Sequence, residues 1–130
     1  MVDVLLLLVS TLAAIEVLVF GLRVGRGRIR HRVPAPSTSG PPDWERLNRI
    51  HLNSIEQLVV FLPLFLAFAT TVDKTWAVWL GFLFVAARAA YAVGYARSPE
   101  GRFVGAALTS LVQVLLALGA IVGIVYRLVR

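Results

Sequence analysis

Four stretches of this 130-residue chain are too long and too apolar to be left in water. The first, Val4–Leu22, is interrupted only by Ser10, Thr11 and Glu16. At 1.5 Å rise per residue, a helix of that length measures roughly 28 Å, close to the hydrocarbon thickness of a bilayer. Three more runs follow, at residues 46–72, 76–95 and 103–126. In lipid the backbone must satisfy its own hydrogen bonds, which for isolated apolar runs of this length means helix. The chain is 58% hydrophobic, against about 45–50% for ordinary globular proteins. The expected fold is an all-α integral membrane protein, a four-transmembrane-helix bundle. No soluble stretch is long enough for a core of its own, so residues 1–130 are read as one domain.

The connections set the orientation. The chain opens Met1-Val2-Asp3, without the basic start of a cleavable signal, so the first span is expected to be retained. Residues 23–45 begin with Arg23, Arg26, Arg28, Arg30 and Arg32 and continue rich in Pro, Ser and Gly, which predicts a loop and not a helix. A turn at Val72-Asp73-Lys74 leads to Trp76 and Trp79, placed as an interfacial belt would place them. Residues 96–102 form a short polar loop. Loops 23–45 and 96–102 hold most of the arginine, which puts both in the cytoplasm and the two termini on the opposite side. The net charge of +6 is accounted for by these flanking arginines, and no nucleic-acid partner is expected. Cysteine is absent, which removes disulfides, thiolate metal sites and a thiol nucleophile in the protein itself. No metal site is expected.

The informative residues are polar groups inside or beside the spans. Arg46, Arg49, Asn53 and Glu56 recur at i, i+3, i+7 and i+10, lining one face of the second helix, with His51 off that stripe. Arg88, Tyr91 and Tyr95 line one face of the third helix, and Arg102 opens the fourth. With both basic loops at one end of the bundle, all of these converge at one membrane boundary. Arg46, Arg49 and Tyr95 are each compatible with simple interfacial anchoring. Arg88 lies about two turns inside its span, where a charge costs about 2.5–3.5 kcal/mol on insertion scales and faces the bundle interior. A structural Glu56–Arg88 pair is one reading of it. Glu16, in the middle of the first span, is either a carboxylate coupled to protons or cations or, the reading the pattern favours, a buried group bonded to a neighbour such as Gln113.

Arginines with one carboxylate, one amide and tyrosine hydroxyls suit a small anion that also carries an ammonium group. The guanidinium forks take carboxylates, and Glu56 takes the amine. This chemistry describes a zwitterionic, peptide-like anion. Glutathione fits the description without being singled out by it.

The segments "ERLNRIHLNSIE" (45–56), followed by "QLVVFLPLFLA", and "RAAYAVGYARSPEGR" (88–102) resemble the MAPEG family, the membrane-associated proteins of eicosanoid and glutathione metabolism. "GPPDWER" (40–46) is similar to the leukotriene synthase branch. The resemblance extends over almost the whole chain in the order of spans and loop sizes. It implies a homotrimer with glutathione as co-substrate, bound between adjacent subunits near the cytoplasmic face. By position it implies that Arg49, Asn53, Glu56, Tyr91 and Tyr95 hold glutathione, with Arg46, His51 and Arg88 nearby. It implies that Arg102 is catalytic at the thiol. An arginine at the end of the first helix would reach over from the neighbouring subunit; Arg28 matches best, with Arg26 and Arg30 close to it. Gln57 stands where the leukotriene synthase branch has Tyr. His51 follows the prostaglandin E synthase branch, and Phe103 replaces a serine of that branch. This mixture of marks implies a general glutathione transferase or peroxidase acting on lipophilic electrophiles or hydroperoxides that enter from the membrane lipid. His51 as a general acid is a weaker expectation, since it lies off the stripe.

A different class shares the gross features. Small four-helix multidrug transporters carry a membrane-embedded glutamate in the first helix, as Glu16 is here. That reading leaves Arg49, Asn53, Glu56, Arg88 and Tyr95 without a role.

Overall fold

The computed structural model describes residues 1–130. Four helices run α1 Val2–His31, α2 Pro42–Thr71, α3 Lys74–Arg97 and α4 Phe103–Val129, with a 3₁₀ turn at Glu100–Arg102 leading into α4. Each is long and apolar enough to cross a membrane. Hydroxyls inside the spans are satisfied by their own helices: Ser10 donates to the Leu6 carbonyl (3.0 Å) and Thr109 to that of Gly105 (2.7 Å).

The helices alternate in direction. Asp3 pairs with Lys74 at 2.7 Å, and Gly123 of α4 lies against Thr71 and Val72. One end of the bundle therefore holds both termini and the α2–α3 turn. The other holds the α1–α2 loop and the α3–α4 turn, together with Arg23, Arg26, Arg28, Arg30, Arg32, Arg46, Arg49, Arg97 and Arg102. The same-end placement of the two basic connections agrees with the sequence reading.

The α1–α2 connection is shorter than the expected 23–45 loop. Helix α1 continues through the arginines to His31 and stops at Arg32, which adopts a left-handed conformation (φ 52°, ψ 40°). Arginine is a good helix former, packing of Gly27 against Trp44 holds the helix through Gly25 and Gly27, and the first proline is Pro34. On the far side Pro42 occupies a first-turn position, where its missing N–H costs nothing, and Asp43 and Glu45 complement the helix start. Asp73 caps α3 by accepting from the Trp76 amide at 2.8 Å.

The core lies in the half of the bundle away from the arginines: Val9 and Ala13 of α1, Phe61, Phe65 and Phe68 of α2, Ala77 and Phe84 of α3, Val112 and Leu116 of α4. Phe61 stacks on Phe84 with ring centroids 3.8 Å apart. Toward the arginine-rich end α3 and α4 approach until backbones touch. A Cβ on Gly105 would sit 2.3 Å from the Tyr91 amide nitrogen. The exposed leucines, valines and Trp76 and Trp79 lie on the outer faces, the surface a bilayer covers.

Candidate functional site

Arg88 organises the polar end. It is 3% exposed, and its Nη2 donates to Ser54 Oγ (2.7 Å) and to Asn53 Oδ1 (3.2 Å). Ser54 Oγ donates in turn to the Ile50 carbonyl at 2.7 Å. The guanidinium carbon lies 4.1 Å from the Tyr91 ring centroid, a cation–π contact. A charge in this position is tolerated because neutral acceptors and an aromatic face replace part of its hydration. The Arg88 Nε remains buried without a partner.

A Glu56–Arg88 pair is not formed. Helix geometry turns Ser54 toward α3 and carries Glu56, two residues on, to the outer side of α2, where it is exposed. Ser54 is the residue the sequence reading missed. Its signal was a hydroxyl in register with Ile50, Gln57 and Phe61 on the inward face of α2, opposite an arginine that needed acceptors.

Tyr91 and Tyr95 are buried in a cluster with Phe20, Ile50 and Ala92, their rings 5.7 Å apart. Arg102 comes over the edge of this cluster from the 3₁₀ turn. Its Nη1 donates to the Tyr95 hydroxyl at 3.4 Å, and its guanidinium lies 5.1 Å from the ring, while the side chain stays exposed. Asn53, Arg88, Tyr91, Tyr95 and Arg102 thus form one connected constellation across α2, α3 and the start of α4.

The remaining expected residues fall around it. Arg49 and Glu56 are exposed and make no ion pair within the chain. Arg46 is bound to Asp43 through Nη2, and its Nε is buried without a partner. His51 points at α1, where a Cβ on Gly21 would sit 3.0 Å from its Nε2. Arg28 is engaged inside its own chain. Its Nη1 donates to the carbonyls of Ser37 (2.9 Å) and Pro34 (3.4 Å), and its guanidinium lies 4.7 Å from the Trp44 ring. Buried Trp44 itself donates to the Val24 carbonyl at 3.2 Å. Arg28 therefore ties down the α1–α2 loop, whereas Arg26 and Arg30 are exposed.

Glu16 does not bond to Gln113. The Gln113 Nε2 donates to the Gln57 carbonyl at 3.0 Å, which uses its amide on α2. Glu16 is half-buried within electrostatic reach of Arg88, and its Oε2 is buried without a partner.

Four helices long and apolar enough to cross a membrane, with an arginine–tyrosine constellation at one end of the bundle, define a polytopic membrane protein. Residues 6–122 match the family model of the MAPEG family, and the chain belongs to that family. It is 40% identical over 121 residues to an uncharacterized protein of Synechocystis sp., covering 93% of this chain and 88% of that one. It is 35% identical over 123 residues to microsomal glutathione S-transferase 2 of Mus musculus, covering 95% and 84%. Leukotriene C4 synthase of Cavia porcellus is 35% identical over 98 residues, covering 73% and 65%.

Proposed function

We propose that the chain is a membrane-embedded, glutathione-dependent transferase that activates the glutathione thiol for attack on lipophilic electrophiles. The observation that carries this reading is the juxtaposition of Asn53, Arg88, Tyr91, Tyr95 and Arg102 beside an outward-facing Arg49 and Glu56. The same chemistry appears in the names of two relatives, a glutathione S-transferase and leukotriene C4 synthase. Arg49 takes a carboxylate of the tripeptide and Glu56 its ammonium group. Asn53 and the tyrosine hydroxyls serve its amides, and Arg46 and His51 border the ligand. Arg88 acts mainly by orienting Asn53 and Tyr91.

The ligand supplies the nucleophile. A free thiol titrates near 8.5, so only a few per cent is thiolate at neutral pH. A guanidinium beside the sulfur favours the anion; lowering the thiol pKa by two units corresponds to about 2.7 kcal/mol of preferential stabilisation. Arg102 is the group for that role: it is exposed, and its single hydrogen bond, to Tyr95, is long. The thiolate then forms a C–S bond to the electrophilic carbon, and the displaced or ring-opened oxygen takes a proton from solvent. With a hydroperoxide, the thiolate attacks the terminal oxygen, the O–O bond breaks, and the alkoxide leaves as the alcohol with a proton from solvent. A second glutathione thiol then displaces water from the resulting sulfenic acid to give the disulfide. Concentrating both reactants at the membrane edge supplies much of the remaining rate.

The exposed Glu56 supports assembly. It lies one helical turn deeper than Asn53, facing outward among apolar neighbours. A carboxylate facing lipid is costly, and a second copy of the chain covers it. A homotrimer with sites between subunits is the assembly this reading adopts, with loops 32–41 and 98–102 toward the cytoplasm. The arginine contributed across the interface is then Arg28, after release from its loop carbonyls.

The test is ultraviolet thiolate absorbance on mixing glutathione with detergent-solubilised protein well below the free thiol's pKa. A saturable rise is expected. No rise, together with no glutathione binding, overturns the reading.

A further inference from the structure

Helix α1 does not end where its apolar run ends. Nine residues, 23–31, continue it past Leu22, and on this extension a groove of about 560 Å³ opens between α1 and the first turns of α2. It is lined by Arg23, Arg26, Arg30 and His31 together with the apolar side chains of Ile29 and Leu47. No acidic residue lines it. Arg23, Arg26 and Arg30 stand at i, i+3 and i+7, so the three point to one side of the helix. All three are exposed and make neither an ion pair nor a hydrogen bond within the chain. Nearby Arg28 and Arg46, by contrast, are committed to loop carbonyls and to Asp43.

The depth of these groups identifies the occupant. The headgroup layer on each side of a bilayer is about 5–7 Å thick beyond the hydrocarbon. Arg23 adjoins Leu22, where the continuous apolar run ends; Arg26 lies about 4.5 Å farther along the axis and Arg30 about 10 Å. Arg23 and Arg26 therefore stand within the layer where lipid phosphates sit. Arg30, just beyond it, leans back toward it because helical side chains tilt toward the helix N-terminus. Ile29 and Leu47 add apolar surface beside them. A guanidinium fork matches phosphate oxygens, and basic pockets at a membrane boundary select anionic headgroups. The groove floor is packed: a Cβ on Gly27 would lie 2.9 Å from Trp44 Cδ1, so the close approach of α1 to Trp44 sets its shape.

We propose that this groove is a binding site for the headgroup of an anionic phospholipid, held by Arg23, Arg26 and Arg30. It does not depend on the glutathione reading. The experiment is retention of phosphatidylglycerol against phosphatidylcholine by the full chain in mixed micelles, read by native mass spectrometry. Wild type is expected to keep the anionic lipid about tenfold better, and R23Q/R26Q/R30Q to lose that preference. R127Q/R130Q, altered at the other end of the bundle, keeps it. Single variants R26Q and R30Q give partial losses and guard against misfolding of the triple variant. Equal preference in wild type and the triple variant overturns the proposal. So does displacement of the lipid by inorganic phosphate, which would assign the groove to a free anion. Loss of the glutathione thiolate signal with lipid retention intact would also overturn it, by giving the arginines to the thiol site.

Discussion

At the residue scale, Arg88 and Arg102 are held differently, and that difference separates their roles. Arg88 is buried and bonded to Asn53 and Ser54, which suits a group that positions others. Arg102 is exposed with one long bond to Tyr95, which leaves its remaining donors for a ligand. Arg102→Ala is expected to bind glutathione but lose most thiolate formation at saturating ligand; equal thiolate yield would remove it from the chemistry. Ser54→Ala takes a hydrogen bond from a buried cation and is expected to cost about 1.5–3 kcal/mol. Chemical unfolding in detergent measures that cost, and an unchanged midpoint would show that water replaces the hydroxyl.

At the element scale, glycines show which helix surfaces are already occupied. Gly25 faces open space, and a methyl group placed on it would meet nothing within 4 Å, whereas Gly105 faces the Tyr91 backbone. Gly25→Ala is expected to stabilise the protein by up to about 1 kcal/mol through helix propensity. Gly105→Ala must push α4 away from α3; overpacking of this kind costs about 1–3 kcal/mol. Because Tyr91 sits at that contact, Gly105→Ala should also weaken glutathione binding, while Gly25→Ala leaves it alone. Thermal melts with and without glutathione test both statements. The extension of α1 to His31 belongs to this scale as well: it carries Arg23, Arg26 and Arg30, which read as loop, onto one side of a helix.

For the whole molecule, the proposed assembly follows from what the single bundle leaves uncovered. Arg49 and Glu56 point away from the chain's own core, so glutathione affinity should depend on association. Glu56→Ala is expected to lower glutathione affinity at least tenfold, the loss of about 1.4 kcal/mol or more for a charged hydrogen bond. Crosslinking and mass measurement in detergent should give three copies. A monomer with full glutathione affinity would exclude sites between subunits.

What was legible in the residues themselves was whatever depends on local chemistry. Apolar runs long enough for a bilayer predict helices because lipid offers the backbone no other partner. Helical spacing alone puts Arg88, Tyr91 and Tyr95 on one face and His51 off the stripe of Arg49, Asn53 and Glu56. The tertiary structure decided the pairings between faces. Arg88 goes to Ser54 and Asn53 instead of Glu56 because α2 packs on α3 with Ser54 turned inward, in the same packing that stacks Phe61 on Phe84. Gln113 meets the Gln57 carbonyl and leaves the Glu16 Oε2 buried without a partner. Spacing along one helix determines which side chains share a face; which face they meet depends on the packing of all four helices at once.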